Sequence, residues 1–392
     1  MQILIPKLAL RNLLGAGLRT WLNVFVLSLS FVAIIWFQGV INGMNNQATT
    51  AMIDAEYGGG QYWVDNYDPY DPLTLQDAHA TLPENITNLI EQEKATAVLI
   101  VQGSIYPNGR IHSVAIKGID PKQSILTLPA HFLDTETDAI PALIGSRMAK
   151  NTGLKMGDYV TVQWRDINGM FDAQDVKIVQ IMKTTVQTID AGQIWIPIDR
   201  LRKMTNMPNQ ATLVVVSPNP VEIPTAAGWQ FKDHDFLLKT LREMIKSKSV
   251  GSSILYIMLM FLAMLAIFDT QVLSIFRRRK EMGTLMALGF TRSRVIRLFT
   301  MEGAMHGVLA AIVATIYGLP LLVYLTKKGW PVPSQTDDFG FAIGETIFPS
   351  YSVALVLGTT LLVLFVTTVV SYLPTRRITK LKPTDALRGK LT

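Results

Sequence analysis

The 392-residue chain has no cysteine, which excludes disulfides, thiolate metal sites and thiol nucleophiles and leaves the redox state of its compartment open. It also has no Gly-x-x-x-x-Gly-Lys-Ser/Thr sequence. Gly58-Gly59-Gly60 is followed by Gln61-Tyr62, so it reads as a flexible loop and not as a phosphate cradle. His79, His112, His131, His234 and His306 are scattered, and none has a metal-ligand partner at helical or loop spacing. Asp68 and Asp71 lie in a Pro-rich loop, where the ordinary reading of an acid pair is a solvated surface. These absences argue against an enzyme active site and against a metal or cofactor held by this chain. Charge is scarce too, at 17% of residues against 49% hydrophobic, and the mean hydropathy is +0.28, the balance of a membrane protein.

Leu22–Val40, Ala304–Thr326 and Tyr351–Leu373 each lack Asp, Glu, Lys and Arg. At ~1.5 Å rise per residue such runs cross a hydrocarbon core of ~30 Å. Val250–Phe276 carries the apolar run Ile254–Ile267 and one charge, Asp269, near a polybasic end where an acid is easier to hydrate or pair. A buried helix of a soluble core needs apolar runs of only ~10–14 residues. The sequence therefore predicts an α-helical membrane protein with four transmembrane helices at 21–42, 249–276, 299–326 and 351–373. A large α+β extracytoplasmic domain at 43–248 is inserted between the first two helices. The first span reads as an anchor, because its apolar run exceeds a signal peptide's and Gln38–Gln47 offers no small-x-small cleavage site.

Lys and Arg resist translocation, so their distribution sets direction. Residues 1–20 carry Lys7, Arg11 and Arg19, and segment 277–298 carries Arg277, Arg278, Arg279, Lys280, Arg292, Arg294 and Arg297. Tail 374–392 carries six more basic residues, and the only acids in these segments are Glu281 and Asp385. All three are expected to face the cytoplasm with both termini. The insert holds 18 Lys and Arg against 23 Asp and Glu, so the pI near 9.3 comes from the membrane-proximal pieces. The basic balance is a topology signal and argues for no nucleic-acid partner. Within 1–20, Lys7, Arg11 and Arg19 fall between Ile3, Leu4, Leu8, Leu14 and Leu18 at helical spacing, as in an amphipathic interfacial helix or a plain anchoring flank.

In the insert, β-branched enrichment and alternation predict strands at Gln61–Val64, Ala97–Gln102, Ser113–Lys117, Tyr159–Gln163, Val176–Ile181, Gln193–Pro197 and Thr212–Val216. Asn108-Gly109 reads as a tight hairpin turn, since both residues tolerate positive φ. Helices are expected at Pro83–Lys94, Ile144–Thr152 and Asp199–Asn206. Gly43–Tyr57 is expected to continue the first span outward and Asp233–Lys248 to run into the second, as two stalks. The loop 327–350 is short and rich in Pro and Gly, and the chain shows no repeat or low-complexity stretch.

In segment 277–298, Met282, Leu285, Met286 and Gly289 recur at i, i+3, i+4 and i+7. They would give a short helix an apolar face for a groove on a soluble partner, or for the lipid interface with no partner. Glu281 would favour the N-terminal end of that helix. Phe276-Arg-Arg-Arg-Lys-Glu-Met-Gly-Thr-Leu-Met-Ala-Leu-Gly-Phe-Thr-Arg, ending at Arg292, resembles the coupling loop of the ABC permease superfamily of lipoprotein-release, macrolide-efflux and cell-division permeases. Further matches are Met301-Glu302-Gly303 and the stretch from Pro374 to Arg388.

The resemblance implies a dimer of separate ATPase subunits, carrying ATP and Mg, docked at Arg278, Arg279, Lys280, Glu281, Met282, Gly283, Leu285, Met286, Leu288 and Gly289. It also implies a second permease chain, identical or paralogous, and a bacterial inner-membrane location with the insert in the periplasm.

Gly118-Ile119-Asp120-Pro121, Leu143-Ile144-Gly145-Ser146, Leu154-Lys155-Met156-Gly157-Asp158 and the stretch from Asp190 to Asp199 are most similar to lipoprotein-release permeases. That likeness implies a lipoprotein or lipid substrate and a periplasmic carrier. The matching carrier loop is Trp164–Asp175, with Trp164, Arg165, Asn168, Gly169, Met170 and Phe171; it is short and lacks proline, so a simple hairpin is the competing reading. An acyl chain gains ~0.8 kcal/mol per buried CH₂, so its extraction needs an apolar cavity and ATP. Phe37, Val40 and Met44 of the first span, with Ile254, Ile257, Met258 and Phe261 of the second, are candidates to line it, against the plain reading of helix packing or lipid contact. Efflux through an outer-membrane duct and non-transporting activation of a cell-wall hydrolase are the alternative functions.

Overall fold

The computed structural model describes residues 17–71, 74–135, 137–219, 222–331 and 346–376. The chain divides into a helical unit, drawn from residues up to Asn45, Ile245–Pro331 and Thr346 onward, and an inserted unit built on Asn46–Met244. Helix α1 (Leu18–Met52) extends well past the apolar run and ends in a π-type turn, Ile53–Tyr57. The helical continuation from Gly43 is therefore present.

The inserted unit follows with strands β1 (Gln61–Val64) and β2 (Ala80–Thr81), helix α2 (Glu84–Glu91), and strands β3 (Ala95–Ile105), β4 (His112–Ile119) and β5 (Ile140–Gly145). Next come α3 (Ser146–Thr152), β6 (Tyr159–Arg165), β7 (Phe171–Met182), α4 (Gln187–Gly192), β8 (Gln193–Pro197) and α5 (Ile198–Thr205). The unit finishes with β9 (Gln210–Ala211), β10 (Leu213–Val216), β11 (Trp229–Lys232) and the one-turn α6 (His234–Leu237).

Nine strands join in the order β11-β1-β10-β3-β4-β8-β5-β7-β6, and β6 pairs back onto β3. The six strands β3, β4, β8, β5, β7 and β6 thus close a ring, while β11, β1 and β10 extend from the first half of β3 as an open flap. β4 with β8 and β5 with β7 run parallel, and the remaining pairs of this sheet are antiparallel.

Closure requires β3 to hold two neighbours at its far end. Gly103 faces Val114 of β4 and Trp164 of β6, and a Cβ there would overlap the Ile116 side chain and sit 2.8 Å from the Gln163 carbonyl oxygen. Glycine is the residue that lets two strands approach a third this closely. Alternation then sorts the apolar residues into two cores. Leu99, Val101 and Ile105 join Ile116, Ile144, Val162, Trp164 and Ile178 on the inner face, whereas Val98, Ile100, Leu143 and Trp195 pack on the other.

The seven expected strands are present, several of them longer. The Asn108-Gly109 turn joins β3 to β4 with φ of 51° and 76°. Strand β5 was not expected, and it takes Ile144 from the expected helix, which begins at Ser146. The cause is burial: all six residues of β5 are buried beside β7, and a strand covered on both faces shows no alternation to read. The expected helix at Pro83–Lys94 shortens to Glu84–Glu91, with Pro83 extended before it and Glu93 at positive φ beyond it.

Helix α7 (Lys239–Arg277) carries the chain onward, followed by α8 (Arg279–Ala287), α9 (Arg292–Lys328), the short pair β12 (Trp330–Pro331) and β13 (Thr346–Ile347), and α10 (Val353–Thr375). Trp21–Tyr57, Arg292–Lys328 and Val353–Thr375 are long and apolar enough to cross a membrane, and within α7 the described apolar stretch is Ser253–Leu262. Val24, Leu27, Phe31 and Ile34 of α1 pack with Ala310 and Ala314 of α9 and Val363 and Val370 of α10. Small residues permit this approach: a Cβ on Gly39 would overlap the Tyr351 ring, and one on Gly318 would press into Val32. Polar ties accompany it, Ser28 Oγ with the Tyr317 hydroxyl at 3.1 Å and Thr359 Oγ1 donating to Gln38 Oε1 at 2.9 Å. The expected N-terminal helix at 1–20, apart from its last residues, the tail from 377 and the centre of loop 327–350 lie outside the described residues.

Candidate functional site

The basic segment between α7 and α9 folds as a compact corner. Arg278 alone separates α7 from α8, and Gly289, at φ 91°, turns the chain back before Thr291 precedes α9. A nine-residue helix cannot leave an apolar face in water, so α8 lays that face on the first turns of α9. Met282 is fully buried with Ile275, Val295 and Phe299, and Leu285, Met286, Phe290 and Ile296 pack around them.

This arrangement corrects the periodicity reading. The Met282, Leu285 and Met286 face is taken by the chain's own helix, leaving Lys280, Glu281, Thr284, Ala287, Leu288 and Gly289 exposed, with Leu288 at 74%. Gly283 is buried.

Arg278 is the hub of the corner. Its Nε donates to Glu281 Oε2 and its Nη1 to Glu302 Oε1, both at 2.6 Å, and its guanidinium lies 4.9 Å from the Phe299 ring centroid. A guanidinium suits the position because its planar fork reaches two carboxylates while stacking on a ring. Burial alone would lower the Arg278 pKa, but Glu302 and Glu281 more than offset it, so the group is held further toward its charged form. Glu302, 7% exposed, comes from α9, and its backbone oxygen contacts His306 Nδ1 at 2.9 Å. The three charges therefore fasten the end of α7, the start of α8 and the body of α9 to one another. The helical pattern gave no sign of this, since Arg278 and Glu302 are 24 residues apart; a solitary acid in the first turns of a long apolar helix was the available signal.

The other expected site residues are placed as follows. Phe37, Val40 and Met44 are half-buried on α1. Tyr256, Leu259 and Met264 are the α7 residues that reach the cluster around α1, which leaves Ile254, Ile257, Met258 and Phe261 exposed on the rest of α7. In the loop at Trp164–Asp175, Trp164 belongs to the core, its Nε1 donating to the Met204 carbonyl at 2.8 Å. Arg165 Nε donates to the Gly169 carbonyl at 3.0 Å, and Asp166 Oδ1 accepts from the backbone N–H of Asn168 and of Met170, making a closed hairpin. Met170 and Phe171 project from it, 67% and 71% exposed.

Two of the family-like stretches turn out to be one contact. Buried Asp190 accepts from Ser146 Oγ and Arg147 N at 3.0 and 3.1 Å and pairs with Arg147 Nε at 3.2 Å, at the start of α3. A Cβ on Gly145 would overlap the Asp190 backbone.

Comparison with known proteins finds two families. The MacB-like periplasmic core domain matches residues 20–232, and the FtsX-like permease C-terminal family matches residues 253–383. An uncharacterized ABC transporter permease of Methanocaldococcus jannaschii is 23% identical over 277 residues, 65% of this chain and 64% of that protein, so the likeness spans under two thirds of the relative's length. Among solved structures, the extracellular domain of the noncanonic ABC-type transporter YknZ from Gram-positive bacteria aligns with 41% of this chain and 84% of its own, at 15% identity and a TM-score of 0.26.

Proposed function

Because this chain belongs to the ABC transporter permeases with a MacB-like periplasmic core domain and an FtsX-like C-terminal part, we propose that it passes the work of a separate ATPase to its inserted domain. In this reading four helices span the bacterial inner membrane, both termini and the basic corner face the cytoplasm, and the inserted domain is periplasmic. The ATPase dimer holds ATP and Mg; this chain, with a second permease, supplies the moving part.

The observation that carries the reading is the Arg278 hub. A partner seated on the outer face of α8, at Lys280, Glu281, Thr284, Ala287 and Leu288, displaces a helix that is charge-locked to both α7 and α9. Motion at the corner is then delivered along α7 and α9 together rather than absorbed in a loose loop.

The cargo that fits best is an acylated protein lifted from the outer leaflet. The lipoprotein-release likeness of the inserted domain supports it, as does the exposed apolar side of α7 at Ile254, Ile257, Met258 and Phe261. Purification of the complex in detergent, with mass spectrometry of co-purifying proteins and lipids, tests both parts. An ATPase together with acylated peptides is expected. An ATPase with a periplasmic adaptor and no lipoprotein overturns the cargo, and recovery without any ATPase overturns the coupling role.

A further inference from the structure

The C-terminal end of α9 carries a feature that neither the coupling reading nor the cargo reading uses. Gly307, Ala310, Ala314 and Gly318 bury one side of α9 in the helical unit. Ile312, Ile316, Leu319 and Val323 recur at i, i+4, i+7 and i+11, which places them on the opposite side, and all four are exposed, Ile316 at 71%. The next step of the same stripe, at i+15, is Lys327, also exposed. From Ile312 to Val323 the helix rises ~16 Å at ~1.5 Å per residue, about one leaflet of a ~30 Å hydrocarbon core. An apolar stripe one leaflet long that ends in a cation matches a single anionic lipid, acyl chain along the stripe and phosphate at its end.

The surroundings of that end are fixed. Gly329, at φ 72°, closes α9 with its N–H on the Leu325 carbonyl at 2.9 Å. Trp330 then pairs with Ile347, and its ring meets Trp36 of α1 edge to face, with centroids 5.3 Å apart. Ser350 N donates to the Gly39 carbonyl at 2.8 Å, so the segment after β13 is held to α1 as well. Tryptophans meeting from two different helices mark the membrane–water boundary, where indole rings settle. Lys328 belongs to the same rim: its Nζ lies 5.5 Å from the Tyr324 ring centroid, a contact that holds one ammonium in place. Among the described residues, no carboxylate pairs with Lys327 or Lys328.

Lysines in the last turn of a helix complement its dipole whatever lies nearby. That role needs neither an apolar stripe leading to them nor paired tryptophans beside them. In the four-span reading these lysines also sit on the extracytoplasmic side, where resistance to translocation selects against them. The dipole supplies a sign as well: the C-terminal end of α9 is negative and repels a phosphate. A preference for anionic lipid at this end therefore comes from the two side chains and disappears with them.

We infer that the C-terminal end of α9 is a binding site for an anionic phospholipid. The phosphate sits on Lys327 and Lys328, the glycerol region beside Trp330 and Tyr324, and one acyl chain along Ile316, Leu319 and Val323. The inference rests on the proposed orientation only for the leaflet, which is then the outer one; the lipid contact itself holds in either direction.

Bromine on an acyl chain quenches a fluorophore that the chain touches, which gives a local test. The full chain, with Leu319→Cys as its sole thiol, is labelled with bimane, held in phosphatidylcholine nanodiscs and titrated with brominated phosphatidylglycerol or brominated phosphatidylcholine. Phosphatidylglycerol should be preferred by roughly fivefold per lysine. Lys327→Gln with Lys328→Gln should bring the two lipids to equal quenching, and Lys327→Arg with Lys328→Arg should keep the preference. Equal quenching by both lipids in the parent chain overturns the site, and so does a preference that survives the glutamine pair. Quenching by neither lipid shows the face to be covered by protein, such as a second copy of this chain, and overturns it too. Loss of the preference on addition of inorganic phosphate overturns the lipid as ligand in favour of a free anion. None of these outcomes depends on orientation, which thiol accessibility across the membrane reads separately.

Discussion

At the residue scale the decisive side chain is Arg278, because its two acceptors come from different helices. Arg278→Ala leaves Glu302 buried without its cation, a loss of roughly 3–5 kcal/mol, and thermal unfolding of the purified chain should report it. Adding Glu302→Leu should recover much of the stability without recovering ATP-driven activity, which separates the hub's transmitting role from its structural one. The exposed and buried sides of α8 give a second contrast. Leu288→Asp should alter stability by less than about 0.5 kcal/mol while abolishing co-purification of the ATPase. Leu285→Asp places a charge against Val295 and Phe299 and should lower the unfolding temperature as well. Equal stability of these two variants would contradict the orientation of α8.

At the element scale the inserted domain depends on closure of its ring. Gly103→Val forces a branched side chain between Ile116 and the Gln163 carbonyl, and overpacking of this kind costs roughly 1–3 kcal/mol. Limited proteolysis should then cut β6 and β7, which the wild type protects. Most of the ring strands were legible, because β3, β4, β6 and β7 place branched or aromatic residues where the pleat turns them inward. Strand β5 was not, since Ile140–Gly145 is covered on both faces. The apolar period of α8 was also legible, but not its direction. Met282, Leu285 and Met286 at helical spacing announce a buried face, and only the return of α9 past Gly289 shows that the chain itself does the burying. Asp190 was invisible for a similar reason: its partners, Ser146 and Arg147, lie more than forty residues earlier.

At the scale of the whole molecule the prediction concerns direction across the membrane. The absence of native cysteine makes each introduced thiol unique. Cysteines replacing Lys122 and Asp138 should react with a membrane-impermeant maleimide in cells whose outer envelope alone is opened. Cysteines replacing Lys280 and Ala287 should react only after the inner membrane is breached. Labelling of all four under the first condition would refute the four-span arrangement. The same logic extends to Gly39 and Gly318, where leucine should drive the packed helices apart and lower yield in the membrane.

Properties that depend on near neighbours in the chain were determined by the sequence alone: uncharged runs long enough to span a membrane, the basic segments that flank them, the Asn108-Gly109 turn, and the motif around Lys280-Glu281-Met282-Gly283. Tertiary structure decided what depends on residues meeting from afar. It set which side of α8 is free, joined Arg278 to Glu302, closed the ring at Gly103, and brought Trp330 against Trp36. Periodicity states that a face is buried; it contains no term for what buries it, because that partner arrives from another part of the chain.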